Sequence, residues 1–236
     1  MIHVFRDAEA VADAAARYVA RAAGESIAAR GTFRVALSGG STPERLYRLL
    51  AHKPWSTRIE WPAVVALFAD ERAVAPDHRD RTLRMVREAL FDPLGARAPA
   101  VRPMRGEAED LEAAAGEYES ELVTPLDLLV MGIGPDGHTA SLFPARAAAL
   151  EMRRRCVAVL DSPKPPPRRL TLTPRALLEA REAIVLVTGS DKATALAAAH
   201  DAAATPERCP ASLLHDREWL VDVAAAAVLP EDRRGR

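Results

Sequence analysis

His138 lies in the stretch V-M-G-I-G-P-D-G-H-T-A-S-L-F-P, Val130 to Pro144, two positions after Asp136 and close behind Gly132, Gly134 and Gly137. Imidazole titrates near neutral pH, so a histidine held by a carboxylate can take a proton and return it. A second group, Asp70-Glu71-Arg72, follows an apolar run directly. An arginine there can face an anion or a developing oxyanion. The third is Ser38-Gly39-Gly40-Ser41-Thr42-Pro43. Backbone amides freed by glycine, hydroxyls and the positive end of a following helix suit a phosphate. It lacks the Gly-Lys-Ser/Thr ending of a P-loop. A fourth group is Lys164, Arg168 and Arg169, on the proline-stiffened segment Ser162 to Arg169. Proline rigidity lowers the entropic cost of holding a cation on a ligand. Taken singly, these groups read as a packed histidine, a solvated turn, a capped β–α turn and a basic surface loop. Together they describe acid–base chemistry on a phosphorylated substrate.

Such groups need elements to bring them together. Phe33–Leu37, Val64–Phe68, Asp127–Met131 and Ala183–Val187 are short apolar runs suited to buried parallel strands. Cys156–Leu160 and Leu170–Thr173 read as further strands, and Pro210–Leu214 with Glu218–Asp222 closes the chain's pattern. Helical periodicity covers Asp7–Arg30, a segment opening at Pro43, Thr82–Leu90, Glu107–Val123, Pro174–Ala180 and Asp191–His200, with an alanine-rich helix near the end. Alternating strands and helices predict a three-layer α/β domain with a mostly parallel central sheet flanked by helices. One domain over residues 1–236 is expected, frayed from Glu231 onward. Ligands on such sheets bind beyond the strands' carboxyl ends, where the first three groups fall. A helix starting near Thr139 is expected to keep His138 neutral through its dipole. The glycines also spell G-x-G-x-x-G, with Asp161 downstream, but Pro144 cuts short the helix that a dinucleotide site requires. Ser38, Ser41 and Ser141 lack the G-x-S-x-G elbow of a nucleophilic serine.

Composition narrows the partners. The net charge of −1 disfavours bulk binding to nucleic acid or anionic membrane, so any anion site must be local. Cys156 and Cys209 have no metal-site spacing and read as free buried thiols of a reducing compartment. No signal core or membrane-length apolar run is present, and a cytoplasmic location is expected. Of 32 basic residues only Lys53, Lys164 and Lys192 are lysine.

In this order, the motifs resemble the 6-phosphogluconolactonase family, within the wider glucosamine-6-phosphate isomerase/6-phosphogluconolactonase superfamily. They are A-L-S-G-G-S-T-P (Ala36–Pro43), F-A-D-E-R (Phe68–Arg72), M-G-I-G-P-D-G-H-T-A-S-L-F-P (Met131–Pro144), S-P-K-P-P-P-R-R-L-T-L-T (Ser162–Thr173), V-T-G-S-D-K-A (Val187–Ala193) and C-P-A-S (Cys209–Ser212). The resemblance implies a Rossmann-like fold, hydrolysis of 6-phospho-glucono-δ-lactone and no metal or organic cofactor. By motif, His138 is the expected base, Asp136 its neighbour and Arg72 a group acting at the substrate. Ser38, Gly39, Gly40, Ser41 and Thr42 form the expected ligand loop, with Lys164 and Arg169 as substrate contacts. The expected partner is a small sugar phosphate, and the expected state a monomer or weak homodimer. One departure stands out: Asp80-Arg81-Thr82 replaces the family's frequent D-S-N. Two rival readings remain. A sugar-phosphate deaminase typically continues G-H-I-A-F-N-E-P, where this chain reads G-H-T-A-S-L-F-P. A non-catalytic sugar-phosphate sensor would be expected to carry a DNA-binding segment ahead of the first helix.

Overall fold

The computed structural model describes residues 1–122 and 124–230. Val123 and the expected frayed tail from Glu231 lie outside the described residues. Ten strands form two sheets. They are β1 (Ile2–Phe5), β2 (Phe33–Leu37), β3 (Val64–Phe68), β4 (Asp70–Arg72), β5 (Ala100–Val101), β6 (Leu128–Gly132), β7 (Cys156–Val159), β8 (Arg169–Leu172), β9 (Glu182–Val187) and β10 (Glu218–Asp222).

Seven of them form a parallel sheet in the order β1-β10-β9-β6-β2-β3-β5. From β2 the chain winds outward through β3 to β5, and from β6 it winds the other way through β9 and β10. The order therefore reverses between β2 and β6, the place where open α/β sheets leave a crevice. Leu128 to Met131 on β6 are all buried, as a strand covered on both faces demands. Each such Leu or Val contributes about 1.5–3 kcal/mol on burial.

Helices cover both faces. The first, α1 (Ala8–Arg30), is capped by the Asp7 carboxylate, which accepts from Ala10 N, and ends at Gly31 with φ 74°. Helix α2 (Ser41–Leu50) buries Leu46, Tyr47 and Leu50. Tyr47 donates its hydroxyl to Ser38 O at 2.9 Å and accepts from Ser38 N at 3.1 Å, fastening the end of β2. Tyr118, in the helix Leu111–Ser120, fastens the end of β3 in the same way through Phe68 O and N. Burial pushes both phenols well above their ordinary range.

The second sheet is antiparallel, in the order β4-β8-β7. Ala69 joins the two: its N–H donates to Leu37 O and its carbonyl accepts from Leu172 N. The sequence places Asp70-Glu71-Arg72 at the sheet edge just past a strand; the structure makes these residues a strand of their own, paired with β8. Strands β1 and β5 were also not anticipated. The segment expected as a helix over Glu107–Val123 becomes helical only at Leu111, because the Asp110 carboxylate caps Ala113 N. The run from Thr82 is α-helical to Val86 and then a π turn over Arg87–Phe91. The expected alanine-rich helix is a single 3-10 turn, Ala225–Val228. No helix of the described residues is long and apolar enough to cross a membrane.

Candidate active site

The glycine-rich turn after β6 is built around the imidazole. Gly134 N donates to His138 O at 2.8 Å, and Gly137 N to Gly134 O at 3.0 Å. A Cβ on Gly134 would stand 2.0 Å from the His138 ring, so only glycine lets the ring lie there. Gly137 has φ 82°, and a Cβ on it would stand 2.8 Å from Cys209 Sγ. His138 Nδ1 is 2.5 Å from Asp136 Oδ1. That contact commits Nδ1 and leaves Nε2 for chemistry. The Phe143 ring stacks on the imidazole with centroids 4.6 Å apart.

The helix expected near Thr139 is absent. Thr139 and Leu142 bridge a tight turn, Ala140 adopts φ 48°, and Thr139 Oγ1 donates to Gly132 O. A helix dipole therefore does not set the charge of His138. Burial does: it holds the imidazole below its ordinary value, with help from the Lys164 cation and against the upward pull of Asp136. Asp136 is itself partly buried, which works upward. Hydrogen bonds from His138 and Lys164 outweigh that and bring its carboxyl to about 2.

The antiparallel sheet offers one face to this site. Arg72 sits directly opposite Arg169 and Asp70 opposite Thr171, so all four share a face. Asp70 Oδ2 accepts from Ser141 Oγ at 2.6 Å, and Ser141 N donates to Thr171 Oγ1. Arg169 is buried and donates to the carbonyls of Lys164, Pro165 and Pro166. It thus clamps the proline loop while bordering the cleft. Arg72 donates to Asp80 O at 2.8 Å, and its Nε is buried with no protein partner among the described residues. Arg168 points elsewhere, to Glu109 O.

The Ser38 loop closes the far side. Ser38 is buried, and its hydroxyl turns to Met131 Sδ at 3.5 Å. Gly40, at φ 111°, precedes α2 with no side-chain cap, so first-turn amides there suit an anion. Thr42 Oγ1 meets Thr188 Oγ1 at 2.8 Å. Gly39 lies against Thr82, whose Oγ1 would be 3.1 Å from a Cβ and is buried with no partner among the described residues. At Asp80-Arg81-Thr82 the chain is held by buried charged side chains. The buried Glu71 carboxylate accepts from the amides of Arg72, Thr82 and Leu83, which caps the helix from below. Arg81 is buried between Glu107, Val74 O and Glu71.

These loops enclose a cleft of about 340 Å³ at the sheet's reversal point. Ser38 to Pro43, Arg72, His138, Lys164 and Arg169 all line it. Asp136 stands behind, on the imidazole. A family model described as glucosamine-6-phosphate isomerases/6-phosphogluconolactonase matches residues 6–222. The chain belongs to this family. A 6-phosphogluconolactonase of Mycobacterium tuberculosis is 39% identical over 245 residues, covering 97% of this chain and 98% of that one. A human 6-phosphogluconolactonase is 36% identical, covering 97% and 93%. The solved 6-phosphogluconolactonase of Trypanosoma cruzi superposes with a TM-score of 0.83 at 29% identity, covering 97% and 96%.

The matched span of this isomerase/lactonase family member contains every residue of the cleft. Among the polar and charged residues of the lining, Asp70, Thr188 and Lys192 were given no role from the sequence. Asp70 passed as part of a charged triplet. Thr188 lies in the V-T-G-S-D-K-A motif, which was read without a role for it. Lys192, paired with Asp191 Oδ2 at 3.0 Å, borders the same cleft as the proline loop's Lys164. Its signal was present: in a chain with three lysines among 32 basic residues, two line one cleft.

Proposed function

We propose that the protein hydrolyses 6-phospho-D-glucono-1,5-lactone to 6-phospho-D-gluconate, the second step of the oxidative pentose phosphate pathway. The observation that carries this reading is the His138–Asp136 pair, with the base kept neutral by burial, facing a cation-lined cleft. Nε2 of His138 takes a proton from water as the oxygen attacks the lactone carbonyl. Charge builds on the carbonyl oxygen, and the Arg72 guanidinium on the cleft lining, or amides of the glycine-rich turn, stabilise it. The tetrahedral intermediate then collapses, the bond from carbonyl carbon to ring oxygen breaks, and the imidazolium gives its proton to that oxygen. No acyl-enzyme is involved. The Ser41–Thr42 turn at the start of α2 and Lys192 hold the phosphate, which fixes the sugar relative to the base.

The test is lactone hydrolysis by the purified protein, measured above the spontaneous rate, beside His138→Ala. Loss of a general base costs at least about 100-fold in turnover, while 6-phosphogluconate still binds. A fully active His138→Ala protein sinks the assignment. Release of ammonia from glucosamine 6-phosphate, without lactone hydrolysis, would transfer the site to a deaminase.

A further inference from the structure

Lys164 occupies a position that substrate contact alone does not explain. Its Nζ donates to Asp136 Oδ1 at 2.9 Å and lies 3.3 Å from His138 Nδ1. The same Asp136 oxygen is 2.5 Å from His138 Nδ1. Three groups meet on one triangle, and no protonation state satisfies all three sides. With a proton on Nδ1, the imidazole donates to Asp136 but presents an N–H to an ammonium. With Nδ1 bare, Lys164 gains an acceptor, but lone pairs oppose each other across the shortest side. Asp136 Oδ1 can accept from both donors, and the remaining repulsion between the ammonium and the imidazole is relieved when one member leaves.

Lys164 is the member free to do so. Its side chain is 36% exposed and lines the cleft. Its backbone stays fixed: Ser162 Oγ bonds both its N–H and its carbonyl, and Arg169 holds the same carbonyl. A four-carbon stem lets the ammonium move while the loop does not.

We propose that Lys164 is a substrate-displaced restraint on the base: in the ligand-free protein its ammonium shares Asp136 with His138, and an oxygen of the bound sugar phosphate draws it away. This rests on the lactonase reading above. Asp136 then serves His138 alone, and a cation leaves the imidazole's side. Both changes strengthen the base at the moment substrate is present. The other charges facing His138 are held in place. Asp70 is fixed by Ser141, Arg72 by Asp80 O, and Arg169, beyond the Phe143 ring, by the proline-loop carbonyls. Lys164 is the charged neighbour with a free path, and it acts as a positioning residue through Asp136.

The experiment is an NMR titration of the His138 ring in the full-length protein, free and saturated with 6-phosphogluconate. Wild type, Lys164→Met and Lys164→Arg are compared, with lactone hydrolysis measured on the same samples. In wild type the ligand raises the His138 midpoint by about one unit or more, the size expected when a neighbouring charge moves. Ligand-free Lys164→Met already shows the raised midpoint, and ligand adds little to it. Lys164→Arg restores the low ligand-free value. The proposal is overturned if the ligand leaves the wild-type midpoint in place, or raises it equally in Lys164→Met. Failure of the underlying reading shows separately, as absence of lactone hydrolysis by wild type. Hydrolysis with an unmoved midpoint removes only the role given to Lys164.

Discussion

Replacing Asp136 by Asn tests the site at its most informative contact. The carboxylate does two things for His138: it holds Nδ1 in the protonated form and it stabilises the imidazolium that forms during attack. Asparagine removes the charge and can present an N–H to Nδ1, favouring the wrong tautomer. In a serine-protease triad, where the carboxylate is fully buried, this change costs about 10⁴-fold in turnover. The Asp136 side chain is 34% exposed, so solvent screens part of its effect. The expected loss in kcat is therefore on the order of 10²–10³-fold, with KM changed only a few-fold.

The pH dependence carries a second sign. His138 acts as the neutral base, so activity falls on the acid side where the ring protonates. Burial and Lys164 already lower its pKa, and Asp136 raises it. Without Asp136 the pKa drops further, because the one carboxylate bonded to the ring no longer pulls it upward. The slow variant should therefore hold its reduced rate to lower pH than wild type. Stability moves as well. The Asp136 carboxyl lies at about 2 in the folded protein, below its usual 3.8, so its stabilising contribution exists above 3.8 and fades as pH falls toward 2. Asparagine lacks that acid-range dependence. The assay is a pH–rate profile of kcat and kcat/KM with thermal melts across the same range. A kcat within threefold of wild type, or an acid limb that shifts upward, refutes the reasoning.

Lys192→Met removes one charged donor from the proposed phosphate end. Such hydrogen bonds are worth about 1.5–3 kcal/mol, which predicts a KM raised by roughly 10- to 100-fold with kcat little altered. A KM within twofold would place the phosphate elsewhere. Thr82→Val deletes a buried hydroxyl that has no partner among the described residues. An unsatisfied buried hydroxyl costs about 1–3 kcal/mol, so the variant should melt some degrees higher. A lower melting temperature would show that the hydroxyl is paired in solution.

The central strands were legible because a parallel strand covered on both faces must be largely apolar; β3 and β6 carry no charged residue, and β2 and β9 carry one each, Arg34 and Glu182. The charged strand β4 was not. Asp70-Glu71-Arg72 has no strand composition, and it extends only because Arg169 to Thr171, far along the chain, pairs with it. The burial of Glu71 was hidden for the same reason: three backbone amides from two segments make it tolerable, and no local pattern announces them. Site residues divide along that line. His138, Asp136 and their glycines were readable because their chemistry is local in sequence. Asp70, Thr188 and Lys192 join the site through sheet order, which spacing does not encode. The neutral histidine was anticipated for the wrong cause, since burial under Phe143 does what a dipole was expected to do.

The register of the small sheet bears on how the proposed reaction is driven. Both cleft lysines are offset by carboxylates, Lys164 by Asp136 and Lys192 by Asp191. Arg72 and Arg169 are directly opposed across β4 and β8, with Asp70 the acid on their shared face. Like charges facing each other across strands cost roughly 0.2–1 kcal/mol, and more where solvent is excluded. Arg169 shows the strain: burial lowers its pKa, Asp70 pulls it back up, and Arg72 pushes it down again. On that face the two guanidiniums repel each other, with Asp70 and Asp80 acting against that repulsion. A neutral lactone carbonyl relieves little of it. A carbonyl oxygen carrying full negative charge relieves much more. Repulsion present in the ligand-free protein and relieved as charge develops is the signature of a site complementary to the transition state rather than the ground state.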